Sequence, residues 1–210
     1  MKSNCNRSYR WLLWSLAVIG TSLDQLTKYQ VFRWLYSGPE QEGKHEVFPG
    51  AFELLVQFTK NREESSGALA RLRILGGEYL PRVNQGALFG LGGGYQHLAN
   101  GVFAAISILA AAAIVYWSTR RSTARDISLC TSLGLILAGT LGNLFDRVVF
   151  GGVRDFLHFY WIEWPVFNVA DCCLVCGASL LLAQAFLTRP AHSKSGGTAV
   201  SLSREMAEAN

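Results

Sequence analysis

The sequence lacks the motifs that are typical of several common functions. Its formal net charge of +4 over 210 residues is small and dispersed, so it does not predict a nucleic-acid partner. No G-x-S-x-G motif is present, and a serine nucleophile of that kind is not predicted. Of the five cysteines, Cys172 and Cys176 share a helix face, yet too few soft ligands accompany them to predict a zinc site. The sequence predicts neither a metal nor a cofactor.

Long apolar runs are what the sequence does contain. Half of its residues are hydrophobic, and the runs 98–117 and 127–145 carry no charged residue. A third run, 166–187, carries only Asp171. Each run is about 20 residues long, the length that an α-helix needs to cross roughly 30 Å of hydrocarbon. The sequence therefore predicts three membrane-spanning helices, one of which has a carboxylate near its start.

The first apolar segment has two interpretations. Residues 11–23 have the length of a signal-peptide core and are too short to cross a bilayer unless the helix continues through Asp24 to about Tyr29. We favour an uncleaved span, because the polar residues 24–28 are followed by further apolar and aromatic residues. The predicted fold is then a mainly α membrane protein with a bundle of four transmembrane helices.

The distribution of basic residues predicts the orientation of the chain. Lysines and arginines precede the first span, separate the second from the third and follow the fourth, so these regions and both termini are expected in the cytoplasm. Segment 37–97 then faces outward, and residues 51–59 predict a small β-rich surface within it. We expect one membrane domain over residues 1–190 and a disordered tail over 191–210.

Polar residues from four segments are predicted to meet at the outer leaflet or just above it. An ionisable residue within a span costs roughly 2.5–3.5 kcal/mol near the centre, so each requires a polar partner or a function. A structural network that joins helix ends is one explanation, and a catalytic site is the other. Two carboxylates in such a site would share one proton, which suits peptide hydrolysis by activated water. The residues concerned are Asp24, Lys28, Asn143, Asp146, Arg147, Asp155, Asn168 and Asp171.

Four polar blocks resemble the sequence blocks of lipoprotein signal peptidase, also called signal peptidase II. Each block alone is a weak signal, but all four in this order, each beside a predicted span, form a specific pattern that covers residues 11–187. The blocks are D-Q-L-T-K (24–28), V-N-Q-G-A-L-F-G (83–90), G-N-L-F-D-R (142–147), and V-R-D-F (153–156) with F-N-V-A-D (167–171).

The resemblance implies an aspartyl endopeptidase in which Asp155 and Asp171 are the catalytic pair. Amide and guanidinium groups would hold the substrate backbone or orient this pair, and a carboxylate–ammonium set would brace the site. Residues expected in these supporting roles are Asn84, Gly86, Asn143, Arg147, Asn168, Asp24, Lys28 and Asp146.

Members of this family remove the signal peptide of a prolipoprotein before a cysteine that carries a diacylglyceryl group, and globomycin inhibits them. The resemblance implies the same substrate for this chain, contact with membrane lipids and a monomeric state. It also implies the bacterial inner membrane as the location, with the active site at the outer face.

Some features depart from the family pattern. An insert of about 20 residues, 60–80, separates the predicted strand from the asparagine-glycine block. Arg154 directly precedes Asp155, and we expect its side chain to face solvent. We further expect residues 37–94 to cover the site and the insert to tolerate change, because it lengthens this cover at small entropic cost.

A small proton-coupled transporter is the main alternative, because intramembrane charges also occur in ion relays. It would require polar residues through the full depth of the membrane, whereas the inner halves of the clear spans, such as 110–115 and 180–182, are apolar. A presenilin-type protease would need a G-x-G-D block, and an alcohol phosphatidyltransferase would need a run of aspartates; both are absent. A purely structural membrane subunit is a further possibility.

Overall fold

Helix α5 (Ile127–Phe150) lies at the centre of the helical part of the chain. The computed structural model describes residues 7–36, 42–59, 69–73, 80–86, 96–162 and 164–187. Helices α1 (Arg10–Trp34), α3 (Gln96–Ser118) and α6 (Val169–Leu187) all pack against α5, and α6 also contacts α1. The helices are α1 (Arg10–Trp34), α2 (Ala70–Arg73), α3 (Gln96–Ser118), α4 (Arg121–Arg125), α5 (Ile127–Phe150), the 3₁₀ turn Tyr160–Ile162, and α6 (Val169–Leu187).

Three of these helices are long and apolar enough to cross a membrane: Leu98–Ser118, Ile127–Phe150 and Val169–Leu187. They confirm the three runs predicted from the sequence, with α5 extended so that Asp146 and Arg147 belong to the helix. Helix α1 is just as long, at 25 residues, but its charged residues lower its hydropathy. The fourth span therefore stays a prediction, while the membrane-helical fold is established.

Both ends of α5 follow from local sequence. At the start, the carboxylate of Asp126 accepts a hydrogen bond from the backbone N–H of Leu129, which satisfies one of the unpaired donors of the first turn. At the end, Gly151 adopts a left-handed conformation with φ of 74°, which only glycine enters without steric cost. The chain can then turn back over the end of the helix toward Asp155.

Close helix packing brings polar side chains of α1 against α5. A Cβ atom on Gly142 would lie 2.6 Å from Oδ2 of Asp24, so this glycine makes room for the carboxylate. Farther along the same helices, an apolar core is formed by Leu13, Ala17, Ile114, Cys130, Leu133 and Leu137. The polar residues of α1 are thus buried next to α5 at one end of the bundle, and the apolar core lies at the other.

A four-stranded antiparallel sheet is built around β2. The strands are β1 (Glu42–Phe48), β2 (Phe52–Thr59), β3 (Leu80–Pro81) and β4 (Leu157–Phe159). Strand β1 forms a hairpin with β2, while β4 and β3 pair with opposite ends of β2. Because β4 begins two residues after Asp155, the sheet fixes the loop that carries this carboxylate.

A second apolar cluster joins the sheet to the end of α1. It consists of Phe32, Val56, Phe58 and Phe156, all of them buried. The rings of Phe32 and Phe58 meet edge to face with centroids 5.8 Å apart. The predicted strand at 51–59 is confirmed by β2. The predicted tail at 191–210 and most of the insert at 60–80 lie outside the described residues.

Candidate active site

Asp155 lies in the loop between α5 and β4 and is held by two asparagines. The side-chain amide of Asn168 donates to Oδ1 at 2.7 Å, and that of Asn84 donates to Oδ2 at 3.0 Å. Burial raises the pKa of Asp155 to about 6, although both hydrogen bonds and Lys28 oppose the increase. Asp171 adds repulsion in the same direction as burial. Asp155 is thus a carboxyl group that can be protonated at mildly acidic pH.

Asp171 is fixed by the first turn of α6. The carboxylate of Asp171 accepts from the backbone N–H of Asn168 at 3.1 Å, and the side-chain oxygen of Asn168 accepts from the backbone N–H of Asp171 at 3.1 Å. This reciprocal pair has the geometry of a capping box, with the acidic residue three positions after the cap. The start of the helix therefore sets the position of the Asp171 carboxylate.

Asn168 connects the two carboxylates. It is fully buried, donates its side-chain amide to Asp155, and exchanges two hydrogen bonds with Asp171. Asn143 of α5 completes the arrangement, because its amide donates to Oδ1 of Asp171 at 2.8 Å while its oxygen accepts from Asn168 at 3.2 Å. The structure therefore brings together the two aspartates that the sequence analysis paired.

Below the aspartates lies a buried cluster whose charges cancel. Lys28 binds Asp24 at 2.8 Å and Asp146 at 3.3 Å, and Arg154 binds Asp146 at 2.7 Å. All four side chains are fully buried, so two carboxylates face two cations in a low-dielectric environment. Lys28 also donates to Oδ1 of Asn143 at 3.3 Å, which links the cluster to Asp171.

Arg154 corrects one expectation, since its side chain faces the protein interior rather than solvent. It donates to both oxygens of Asp146, and its guanidinium lies over the rings of Tyr29, at 4.3 Å, and Phe150, at 4.0 Å. The partner of Arg154 is the carboxylate at the end of α5.

Gln25 is a site residue that the sequence analysis did not assign. Its amide donates to Asp24 at 3.0 Å and to Asp146 at 3.1 Å, and its oxygen accepts from Arg154 at 2.8 Å. It therefore holds two carboxylates of like charge side by side. Its position next to Asp24 in the D-Q-L-T-K block is the sequence feature that could have identified it as a site residue.

Asn84 reaches Asp155 from the segment after β3. Its backbone exchanges two hydrogen bonds with Val153, at 2.8 and 2.9 Å, and its side-chain oxygen accepts from the backbone N–H of Gly86 at 2.9 Å. Gly86 has φ of 95°, and a Cβ atom there would collide with the ring of Phe103. The asparagine-glycine block therefore needs glycine for both its turn and its contact with α3.

Arg147 lies near the aspartates, but its guanidinium is hydrogen-bonded to Asn100. Its guanidinium interacts electrostatically with Asp155 and Asp171, and it donates a hydrogen bond to Oδ1 of Asn100 at 3.4 Å. Asn100, like Gln25, was missed from the sequence, because a single asparagine at the start of an apolar span carries no distinctive pattern.

The cysteines of α6 lie outside this hydrogen-bonded set. Cys172 and Cys176 are exposed on the helix surface, whereas Cys130 is buried in the apolar core of the bundle. Within the described part of the chain, no group of three or more histidine, cysteine or acidic side chains is arranged to hold a metal ion.

Fold and site together define a membrane protein with several apolar helices, in which two aspartates meet through asparagine side chains above a buried, charge-balanced cluster. The family model described as Signal peptidase (SPase) II matches residues 16–187. The chain belongs to the signal peptidase II family.

Similar proteins agree with this assignment. The lipoprotein signal peptidase of Rhodopirellula baltica is 36% identical over 190 residues, which covers 83% of this chain and 71% of the relative. That of Paraburkholderia phymatum is 41% identical over 175 residues, covering 82% and 84%. A solved "Bacterial membrane enzyme structure" at 24% identity has a TM-score of 0.63 and covers 88% of this chain and 97% of that one, which shows a shared fold.

Proposed function

We propose that this chain is a membrane aspartyl endopeptidase that cleaves the signal peptide of a prolipoprotein before its diacylglyceryl-modified cysteine. Its family membership supports a protease that processes lipoproteins. The aspartic mechanism rests on one observation above all, the hydrogen bonds by which Asn168 contacts both Asp155 and Asp171. Family membership gives no support to the alternative of a proton-coupled transporter.

In the proposed reaction the aspartates share one proton. One carboxylate accepts a proton from a water molecule as the water oxygen attacks the scissile carbonyl carbon. The other carboxyl donates a hydrogen bond to the carbonyl oxygen, and a proton then passes to the leaving nitrogen as the peptide bond breaks. The raised pKa of Asp155 favours this residue as the protonated partner.

The supporting residues act on this pair in two ways. Asn84, Asn143 and Asn168 each donate to a carboxylate oxygen and so fix the direction in which the remaining lone pairs point. The cluster of Asp24, Lys28 and Asp146 supports Asn143 through the hydrogen bond from Lys28, and it adds no net charge when Arg154 is included. The pair is thereby held in place before substrate arrives.

The proposed setting is the outer face of the bacterial inner membrane. Helix α1 would be the fourth span, because it is 25 residues long and packs along α5. Residues 1–190 would form one monomeric membrane domain with both termini in the cytoplasm. A transmembrane signal peptide could then enter from the bilayer while the lipid chains of the modified cysteine stay among membrane lipids.

Purified enzyme in detergent tests the proposal with two matched substrates. A prolipoprotein carrying the diacylglyceryl group should be cut on the N-terminal side of the modified cysteine, and globomycin should block the reaction. The same protein without the lipid is the control and should remain uncut. Equal cleavage of both forms, or cleavage at another bond, would contradict the proposed specificity.

A further inference from the structure

Helix α3 contacts Arg147 through Asn100 in two ways. The side-chain amide of Asn100 donates to the backbone oxygen of Arg147 at 3.3 Å, and its oxygen accepts from the guanidinium at 3.4 Å. The backbone oxygen lies in the last turn of α5, where carbonyl groups lack partners within the helix. One side chain thus binds both the end of α5 and the charged group that α5 carries toward the aspartates.

Phe103, three residues along the same helix, contacts Arg147 from another direction. The guanidinium carbon lies 4.9 Å from the centre of the Phe103 ring, which is within the range of a cation–π interaction. The edge of the same ring packs against Gly86. Gly86 in turn bonds to Asn84, whose amide holds Asp155. Phe103 therefore touches two of the groups that surround the aspartates.

We propose that Asn100 and Phe103 are positioning residues that hold the guanidinium of Arg147 toward the Asp155–Asp171 pair. This inference rests on the proposed function. Neither residue touches the aspartates; Asn100 acts through Arg147, and Phe103 acts through Arg147 and the Asn84–Gly86 turn. An unrestrained arginine side chain has many rotamers, and the two contacts select those near the aspartates.

The consequence for the reaction is electrostatic. The positive charge of Arg147 favours ionisation of the aspartate pair, as does that of Lys28 on α1. Asp146 on α5 is a further negative charge that interacts with the Arg147 guanidinium. If Arg147 moves away, the pair loses its first proton only at higher pH. The acid limb of the activity profile should then move upward.

Asn100→Ala and Phe103→Leu test the inference, with Ser107→Ala as the matched control on the same helix. The hydroxyl of Ser107 donates a hydrogen bond to the backbone oxygen of Phe103, within its own helix, at 2.9 Å. We expect each test variant to lower kcat/KM for the lipidated substrate roughly tenfold and to move the acid limb up by about half a pH unit. Phe103→Tyr, which keeps the aromatic face, should restore both values, and Ser107→Ala should leave them unchanged.

Coupling between Asn100 and Arg147 is measured by combining Asn100→Ala with Arg147→Lys. If Asn100 acts through Arg147, the losses from Asn100→Ala and Arg147→Lys should combine to less than their product. Thermal unfolding in detergent shows which variants are folded, and Phe103→Leu decides the matter should Asn100→Ala fail to fold. Unshifted pH profiles in folded variants, or fully multiplicative losses, would overturn the inference. Failure of the wild-type enzyme to cut the lipidated substrate would instead overturn the proposed function.

Discussion

Replacing Asp155 with asparagine should make the stability of the protein less sensitive to pH. The pKa of Asp155 is raised from 3.8 to about 6 in the folded protein, with burial as the main cause. The folded state therefore binds this proton more tightly than the unfolded state does. Its contribution is complete below about pH 4 and is lost as the pH rises through 6. The difference between the two pKa values corresponds to about 3 kcal/mol at most.

The expected result is a relative gain for Asp155→Asn as the pH rises from about 4 to 7. At roughly 2–4 °C per kcal/mol for a chain of this size, the unfolding midpoint of the variant should rise by several degrees relative to wild type over that interval. The new amide places a donor against Asn84 or Asn168, which costs about 1–3 kcal/mol at every pH. The diagnostic quantity is therefore how the difference in unfolding midpoint between the variant and wild type changes with pH, and not the size of that difference at any one pH.

Thermal unfolding in detergent, recorded at a series of pH values, measures this quantity. Glu46→Gln makes the same change in net charge on the exposed strand β1 and serves as the control. A difference between Asp155→Asn and wild type that stays constant with pH would refute the assigned cause, since burial would then not disfavour the ionised carboxylate. An equal gain in Glu46→Gln would attribute the effect to net charge.

Other outcomes follow from the same structure. Arg154→Met should lower the stability of the folded protein by roughly 3–5 kcal/mol, because the buried negative charge of Asp146 loses one of its cationic partners. In thermal unfolding, the double variant with Asp146→Leu should lose less stability than the sum of the two single losses. Replacing all five cysteines, or adding a strong chelator, should leave cleavage intact. Loss of cleavage in the presence of the chelator, followed by recovery when zinc is added, would contradict this expectation. Deleting residues 63–75 removes α2, which is hydrogen-bonded to Tyr29 and Val149. The deletion should change KM for the substrate more than the rate of single-turnover cleavage. Loss of all cleavage in a folded enzyme would contradict this expectation.

The helical framework could be predicted from the sequence because it depends on local composition. Uncharged runs predicted α3 and α5, and a run with one carboxylate predicted α6. Asp171 was predicted near the start of its helix from its position in the apolar run, and it lies in the first turn of α6. Its pairing with Asp155 depended on the resemblance of whole sequence blocks, since the Asn168 side chain that joins them acts across a chain reversal.

The contacts that depend on how the chain folds back could not be predicted. Arg154 is buried because the chain after Gly151 turns toward the end of α5, where Asp146 supplies its partner. From the sequence alone, an arginine next to a carboxylate in a loop is expected to face solvent, because the sequence does not reveal that the chain turns back. Strand β1 was missed for a similar reason, because its polar residues 42–46 form a strand only through pairing with β2.

Single-turnover cleavage of a diacylglyceryl-modified prolipoprotein tests the central claim most directly. Wild-type enzyme, Asp155→Asn, Asp171→Asn and the double variant would be compared after thermal unfolding has shown that each is folded. If the two carboxylates share the catalytic proton, each single variant should lose essentially all cleavage, and the double variant should lose little more. Near-normal cleavage by either folded single variant would contradict the assignment of this pair.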